Sequence, residues 1–264
     1  MSLIVGKGLE ESFMEDAKEL ARILRRLLRL KNGPVAVRLI KNHEETPVLP
    51  KKPAQPYPSF CLAVMEAFKG RCCYLTRTDI LCRMGLVTLG LSKDSSRAVK
   101  GGQGGPGGVF ASEEAFRNYH SKKICLPPNQ IRGVVLTPLE RTVVGFDVVL
   151  FRINPEQAMW LLNAHQYRTG ERIDLSIGTG FQGVCGDVIA YPYLHQKVNL
   201  TVNGVGDRLS VSAGKNELFM VIPRSQVEMV ASNLLEMYKK PAFQALLSPK
   251  GPVKTPPTRT TSRP

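Results

Sequence analysis

Cysteine supplies the most reactive side chains of this 264-residue sequence. Four of its six, Cys61, Cys72, Cys73 and Cys82, fall inside the single stretch SFCLAVMEAFKGRCCYLTRTDILC. A thiolate can bind a soft metal or attack an electrophile, and spacing decides which of these a cluster can do. The gaps here do not give the C-x₂-C pairs of a zinc ribbon or a ferredoxin loop. His43, His120, His165 and His195 form no H-x₃-H or H-E-x-x-H pattern that would complete such a site. Cys61 and Cys185 nevertheless stand apart. Each opens a stretch with helical spacing, CLAVMEAF and CGDVIAYPYL, where unpaired amides and the positive end of the helix favour the thiolate. Gly183 and Gly186 flank Cys185, so the backbone there can approach a ligand closely. Cys82, beside Arg83 and before Gly85, can join them from a loop. Cys61, Cys82 and Cys185 are therefore the candidate metal ligands, weighed against the ordinary fate of cysteine as a small buried residue. Cys72, Cys73 and Cys125 are assigned to packing.

A second candidate is the turn GTGFQGVCG, which sets Gly178, Gly180 and Gly183 in G-x-G-x-x-G order ahead of a helix. A dinucleotide site also needs an acid about twenty residues on, at the end of a second strand. Asp207 follows Gly183 by 24 residues, but in a turn-like NGVGDR segment. The expectation is a generic turn able to hold a small anion. The run GGQGGPGG (101–108) lacks the Lys-Ser/Thr ending of a P-loop and reads as a flexible loop.

These residues need a scaffold. Ser12 and Glu15 form a capping box ahead of Leu20, Ile23, Leu24, Leu27 and Leu28, which share one helical face. KNGP (31–34) ends that helix, with Asn32 or Gly33 in the left-handed position. VAVRLI alternates as a half-buried strand, and a proline-rich loop then leads to Ser59, the expected N-cap of the Cys61 helix. CCYLT, IRGVVLTPL, FDVVLFRI, KVNLTVNG and ELFMVIP read as strands. NPEQAMWLLNAH carries the N-cap, Pro and Gln signals of a helix, with Ala158, Leu161, Leu162 and His165 on one face. Ser225 and Glu228 are expected to cap a last helix striped by Val227, Val230, Ala231, Leu234 and Leu235. Strands and helices mix without regular alternation, so the fold class is α+β, with mixed or antiparallel sheets and packed helices. A faint echo links VAVRLI, the Cys61 helix and CCYLT to DVVLFRI, the Cys185 helix and VNLTV, as in two pseudo-repeated subdomains with both thiols at one crevice. The expected organisation is one domain over 1–238, with halves 10–125 and 130–238, and a basic, proline-rich disordered tail over 239–264.

A hydrophobic fraction of 43% with 22% charged residues describes a soluble globular chain, and the expected location is the cytoplasm. No run approaches a membrane-spanning length. The net charge of +14 suggests an anionic partner, but six basic residues without an acid follow Glu236, and five more cluster between Arg22 and Lys31. No aromatics interleave with the basics, so nucleic acid is not favoured; a small anionic ligand is the partner retained.

GPVAVRL, the Cys61 helix ending in KG, DILCRMGLVTLGL, DVVLFRINPEQAMWLLNAHQYRTGE, GVCGDVIAYPYLHQKVNLTVNGVGDR and FMVIPRSQVEMVASNLLEM together resemble the prokaryotic family called domain of unknown function 169. The likeness covers residues 10 to 238, with NPEQA and AYPY its most distinctive parts. The resemblance implies a soluble prokaryotic protein, often from anaerobes or archaea, with cysteines recurring at Cys61, Cys82 and Cys185. It implies no activity. The leading expectation is a redox metal centre or iron–sulfur cluster held by those three thiolates. One alternative is a thiol-dependent enzyme or sensor for a small anion, with Cys185 as nucleophile. Another is an interaction protein with buried cysteines and a partner-binding basic tail.

Overall fold

A computed structural model describes residues 16–44, 49–93, 108–143, 145–178, 181–211, 213–241 and 243–244. The Ser12–Glu15 box, glycines 101–107, Gly180 and residues 245–264 lie outside them. The elements run α1 (16–27), β1 (Val35–Lys41), α2 (Phe60–Phe68), β2 (Cys73–Leu75), α3 (Arg83–Thr88), α4 (Glu113–Ser121), β3 (Ile131–Pro138), β4 (Val148–Ile153), α5 (Pro155–Gln166), a π-helix (Gly183–Ala190), α6 (Tyr191–His195), β5 (Asn199–Thr201), α7 (Val205–Val211), β6 (Leu218–Pro223) and α8 (Arg224–Tyr238). The six strands form one antiparallel sheet in the order β2-β3-β1-β4-β6-β5, which makes the fold α+β as expected.

Both faces of the sheet are covered. Val35, Val37 and Leu39 of β1, with Val148 and Leu150 of β4, face α2 and the π-helix. Ala36, Val149 and Phe151 face α1, α5 and α8. The half-buried strand expected of VAVRLI is thus a central one, its apolar residues buried on either side. Phe68 of α2 stacks on Phe219 of β6 with centroids 5.8 Å apart, closing the first layer. A groove of about 330 Å³ lined by Leu20, Ile23, Phe146 and Leu235 opens between α1 and α8, on the second layer.

Helix ends correct several expectations. Arg29, not Asn32 or Gly33, takes the left-handed conformation after α1 (φ 51°). Leu30 N–H donates to Arg25 O at 3.0 Å and Arg29 N–H to Arg26 O at 3.3 Å, the paired bonds of a Schellman turn. On α5 the buried stripe is Ala158, Trp160, Leu161 and Ala164, while His165 turns aside to Gln226 at 2.9 Å. Helix α8 starts one residue before Ser225. The Ser225 hydroxyl donates to Gln196 at 3.2 Å, Glu228 pairs with Arg224, and Leu235 is exposed. Packing continues past residue 238, where Phe243 is buried against Trp160 with ring centroids 4.0 Å apart.

The strand order reads the same from either edge when β1, β2 and β3 exchange with β4, β5 and β6. Register follows. Leu136 of β3 lies opposite Cys73 and Val37, as Val221 of β6 lies opposite Asn199 and Leu150. At the centre, Val35 pairs with Leu150 and Val37 with Val148, so the same exchange maps this contact onto itself. The echo in the sequence is therefore a pseudo-two-fold of the sheet. Because β3 sits with β1 and β2, the first symmetric unit runs through Pro138, beyond the 125–130 break expected from the sequence.

Candidate functional site

The pseudo-two-fold places α2 opposite the π-helix and α3 opposite α7, and their N-terminal ends gather the candidate cysteines. Ser59 caps α2 as expected, its hydroxyl accepting from Leu62 N–H at 3.1 Å, which fixes Cys61 in the first turn. Cys82 is itself a cap. Its sulfur accepts from Gly85 N–H at 3.4 Å and starts α3 after the loop, a role the sequence left to an undefined turn. Cys185 stands in the first turn of the π-helix, which is buried along its whole length. That helix carries an i→i+5 bond from Asp187 N–H to Gln182 O at 3.0 Å; such windings are uncommon and are frequent at functional sites.

The three thiols interact with one another and with a fourth group, Asp207. Cys61 is influenced by Asp207, Cys185 and Cys82, and Cys185 by Cys82 and Asp207. Asp207, expected in a turn, lies in the first turn of α7 and is 4% exposed. Its Oδ2 accepts from Gly204 N–H at 2.9 Å and lies so close to Gly183 that a Cβ there would sit 2.5 Å away. Glycine is required at 183 for that close approach. Thr201 Oγ1 borders the same face of Gly183, is fully buried and lies within hydrogen-bonding reach of the Asp187 carboxyl.

A second carboxylate closes the far side. Asp187 accepts from Gly178 N–H through both oxygens at 3.1 Å, and the Tyr119 hydroxyl donates to Gly178 O and accepts from Phe181 N–H, each at 3.0 Å. Asn199 ties this wall to β5, donating to Ser176 O and Asp187 O at 2.6 and 2.7 Å. Of the three glycines expected to hold an anion, Gly178 thus serves an internal carboxylate and Gly183 abuts another. Gln182 Nε2 donates to Thr88 Oγ1 at 2.6 Å beneath Cys185.

The electrostatics are those of a site short of positive charge. Burial, then the Asp207 charge and the neighbouring thiols, push the Cys61 thiol well above its ordinary range. Burial, then Cys82 and Asp207, do the same to Cys185. Burial lifts Asp187 to about 7 against the pull of the Gly178 amide, and it raises Asp207 against the Cys61 thiol and the Gly204 amide. Tyr119 is pushed up to about 12, chiefly by burial. A cation entering here would reverse these shifts, since coordination deprotonates a thiol outright. Among the described residues no three His, Cys, Asp or Glu side chains meet as a ligating set, Cys61, Cys82, Cys185 and Asp207 included.

The remaining residues separate cleanly. Cys73 is buried in the core, as expected of a packing thiol, whereas Cys72 and Cys125 are half-buried. His120 is buried edge-on to Phe116 at 4.4 Å, with both ring nitrogens unpartnered among the described residues. Sequence reasoning missed Asp187, Asp207 and Tyr119. Only the acid following Gly183 at Asp207 offered a signal, and it was read in the frame of a nucleotide fingerprint.

The fold is that of an α+β protein with a pseudo-symmetric antiparallel sheet, whose packed helix starts carry the candidate thiols and the carboxyls beside them. Among the described residues no helix is long and apolar enough to cross a membrane. The family model described as uncharacterised ArCR, domain of unknown function 169, matches residues 23–233, and the chain belongs to that family. It is similar to uncharacterised protein MJ0308 of Methanocaldococcus jannaschii, with 25% identity over 219 residues that cover 81% of this chain and 92% of the relative. No solved structure matches.

Proposed function

We propose that the protein binds a thiophilic metal centre through Cys61, Cys82 and Cys185, and that the centre is an iron–sulfur cluster. The observation that supports this reading is that the segments carrying the three thiols pack together, α2 and α3 each against the π-helix and α2 against α7, with Cys61 and Cys82 half-buried and Cys185 buried. The thiol-nucleophile alternative fits less well. A nucleophilic cysteine needs a depressed pKa, and burial beside carboxyls raises those of Cys61 and Cys185. The small-anion alternative must contend with amides already engaged by Asp187 and Tyr119.

The test is anaerobic reconstitution with ferrous iron and sulfide, followed by visible absorbance and iron and sulfide analysis. A broad visible band that disappears in Cys61→Ser, Cys82→Ser and Cys185→Ser is the expected result. A colourless, iron-free wild type that is well folded sinks the reading.

A further inference from the structure

Part of the basic cluster between Arg22 and Lys31 borders a cavity that the thiols do not touch. Three segments enclose it: α1 and the chain leaving it (Arg25, Lys31), the end of α2 (Lys69, Gly70) and the turn after β3 (Glu140). Its volume is about 190 Å³. Hydrogen bonds between distant parts of the chain hold the walls. Asn32 Nδ2 donates to Phe68 O at 3.1 Å, and Arg141 Nη1 donates to Gly70 O at 2.8 Å. Gly70 itself takes a left-handed conformation, φ 96°, that turns the chain along the rim.

The charges around this cavity do not pair off. Among the described residues the side chains of Arg25, Lys31 and Glu140 make no hydrogen bond or ion pair, although opposite charges line one space. Glu140 Oε2 is sealed from solvent beside Gly33, where an added Cβ would come within 3.2 Å of it, so Oε1 is the oxygen left open. Lys31 also acts on Glu217, but that carboxylate is already paired with Arg152 at 2.7 Å. Lys69 pairs at 2.8 Å with Glu66, which Arg71 also holds at 2.8 Å. We infer that the cavity binds a small phosphate ester with a free hydroxyl, the phosphate against Arg25, Lys31 and Lys69 and the hydroxyl donating to Glu140 Oε1. Three cations against one acid favour a ligand of net negative charge, and Arg with Lys is the usual pair for phosphate. Under that net charge the donor that satisfies Glu140 is a neutral hydroxyl and not an ammonium, which the cations would repel. A volume below the roughly 300 Å³ of a drug-sized pocket limits the ester to a few carbons. The site is independent of the metal-centre reading.

The test is isothermal titration calorimetry of the full chain at low ionic strength with glycerol 3-phosphate and inorganic phosphate as probes. Far-ultraviolet circular dichroism would check the fold of each variant. The wild type is expected to bind the ester on the order of tenfold more tightly than phosphate, the worth of one hydrogen bond to a charged group. Glu140→Ala should erase that preference while binding inorganic phosphate at least as tightly, because it removes an acceptor and a negative charge together. Arg25→Ala with Lys31→Ala should weaken both probes by about tenfold or more. Lys18→Ala with Arg26→Ala, exposed basic residues that do not line the cavity, should leave both affinities unchanged. If the Arg25 and Lys31 double variant does not fold, Glu140→Ala decides alone. A folded wild type that binds neither probe overturns the site. Binding without preference for the ester overturns the role of Glu140 and the ligand class with it. Equal weakening by the Lys18 and Arg26 pair reduces the effect to diffuse surface charge and likewise overturns the site.

Discussion

Gly183 shows how little freedom the crevice leaves a single residue. An added Cβ would approach Asp207 Oδ2 to 2.5 Å and Gly204 N to 2.9 Å, and the latter is backbone that cannot swing away. Gly183→Ala is therefore expected to destabilise the protein by about 1–3 kcal/mol, the usual cost of overpacking. Denaturant unfolding would measure it. Gly85, whose Cβ would meet Phe60 Cβ at 3.1 Å, is a milder control. Residue types alone selected Cys61, Cys82 and Cys185, because a thiol at a helix start is a local property. Asp207 was illegible for the opposite reason. NGVGDR has the composition of a turn, and its carboxyl matters only because α7 packs against α2. Asp187 and Tyr119 meet across 68 residues of chain, a relation that no spacing rule encodes.

At the scale of elements, the site depends on where helices start. Ser59 satisfies the amide of Leu62, the residue after Cys61, and Ser59→Ala is expected to cost about 1 kcal/mol of stability in a thermal melt. The short turn before Cys82 is held by Asp79, which accepts from Thr76 N–H at 2.8 Å and Thr76 Oγ1 at 2.5 Å and pairs with Lys52 at 3.2 Å. Burial alone would raise the Asp79 pKa, but the Thr76 hydrogen bonds and Lys52 outweigh it and the carboxyl ends below its ordinary value. A depressed carboxylate pKa contributes stability above the unfolded value, about 4, and loses it as pH falls through the folded value. Asp79→Asn should therefore weaken the protein at pH 7 and flatten its acid limb below about pH 4, as read from denaturant midpoints across pH. The sequence supplied the strands, the N-caps of α2 and α5 and, Leu235 apart, the core stripe of α8. It did not supply α4 or α7, and of the Cys185 helix it supplied the place but not the π winding. Hydrophobic periodicity finds α-helices through one apolar face, whereas the π-helix is buried all round and its winding is fixed by contacts on every side.

On the scale of the whole molecule, the two symmetric units share a continuous sheet, yet β1 and β4 meet over only three register pairs, Val35–Leu150, Ala36–Val149 and Val37–Val148. On one face of the sheet their junction continues as packing of α2 against α7 and of α2 and α3 against the π-helix, and on the other as packing of α1 with α5 and α8. A centre bound as proposed would take Cys61 and Cys82 from one unit and Cys185 from the other. It would tie the units together where strand pairing is shortest. Loading should then stabilise the whole fold and not one helix, because a ligand that binds only the native state adds RT ln(1 + [L]/Kd), about 2.7 kcal/mol at a hundredfold excess over Kd. The expected outcome is a higher and still single thermal transition in the reconstituted protein, returning to the metal-free value when a chelator strips the iron. In Cys61→Ser, which removes a donor from the first unit, and in Cys185→Ser, which removes one from the second, the gain should vanish to the same extent. A gain that survives either substitution would place the centre within one unit, and the two halves would then be joined by packing alone.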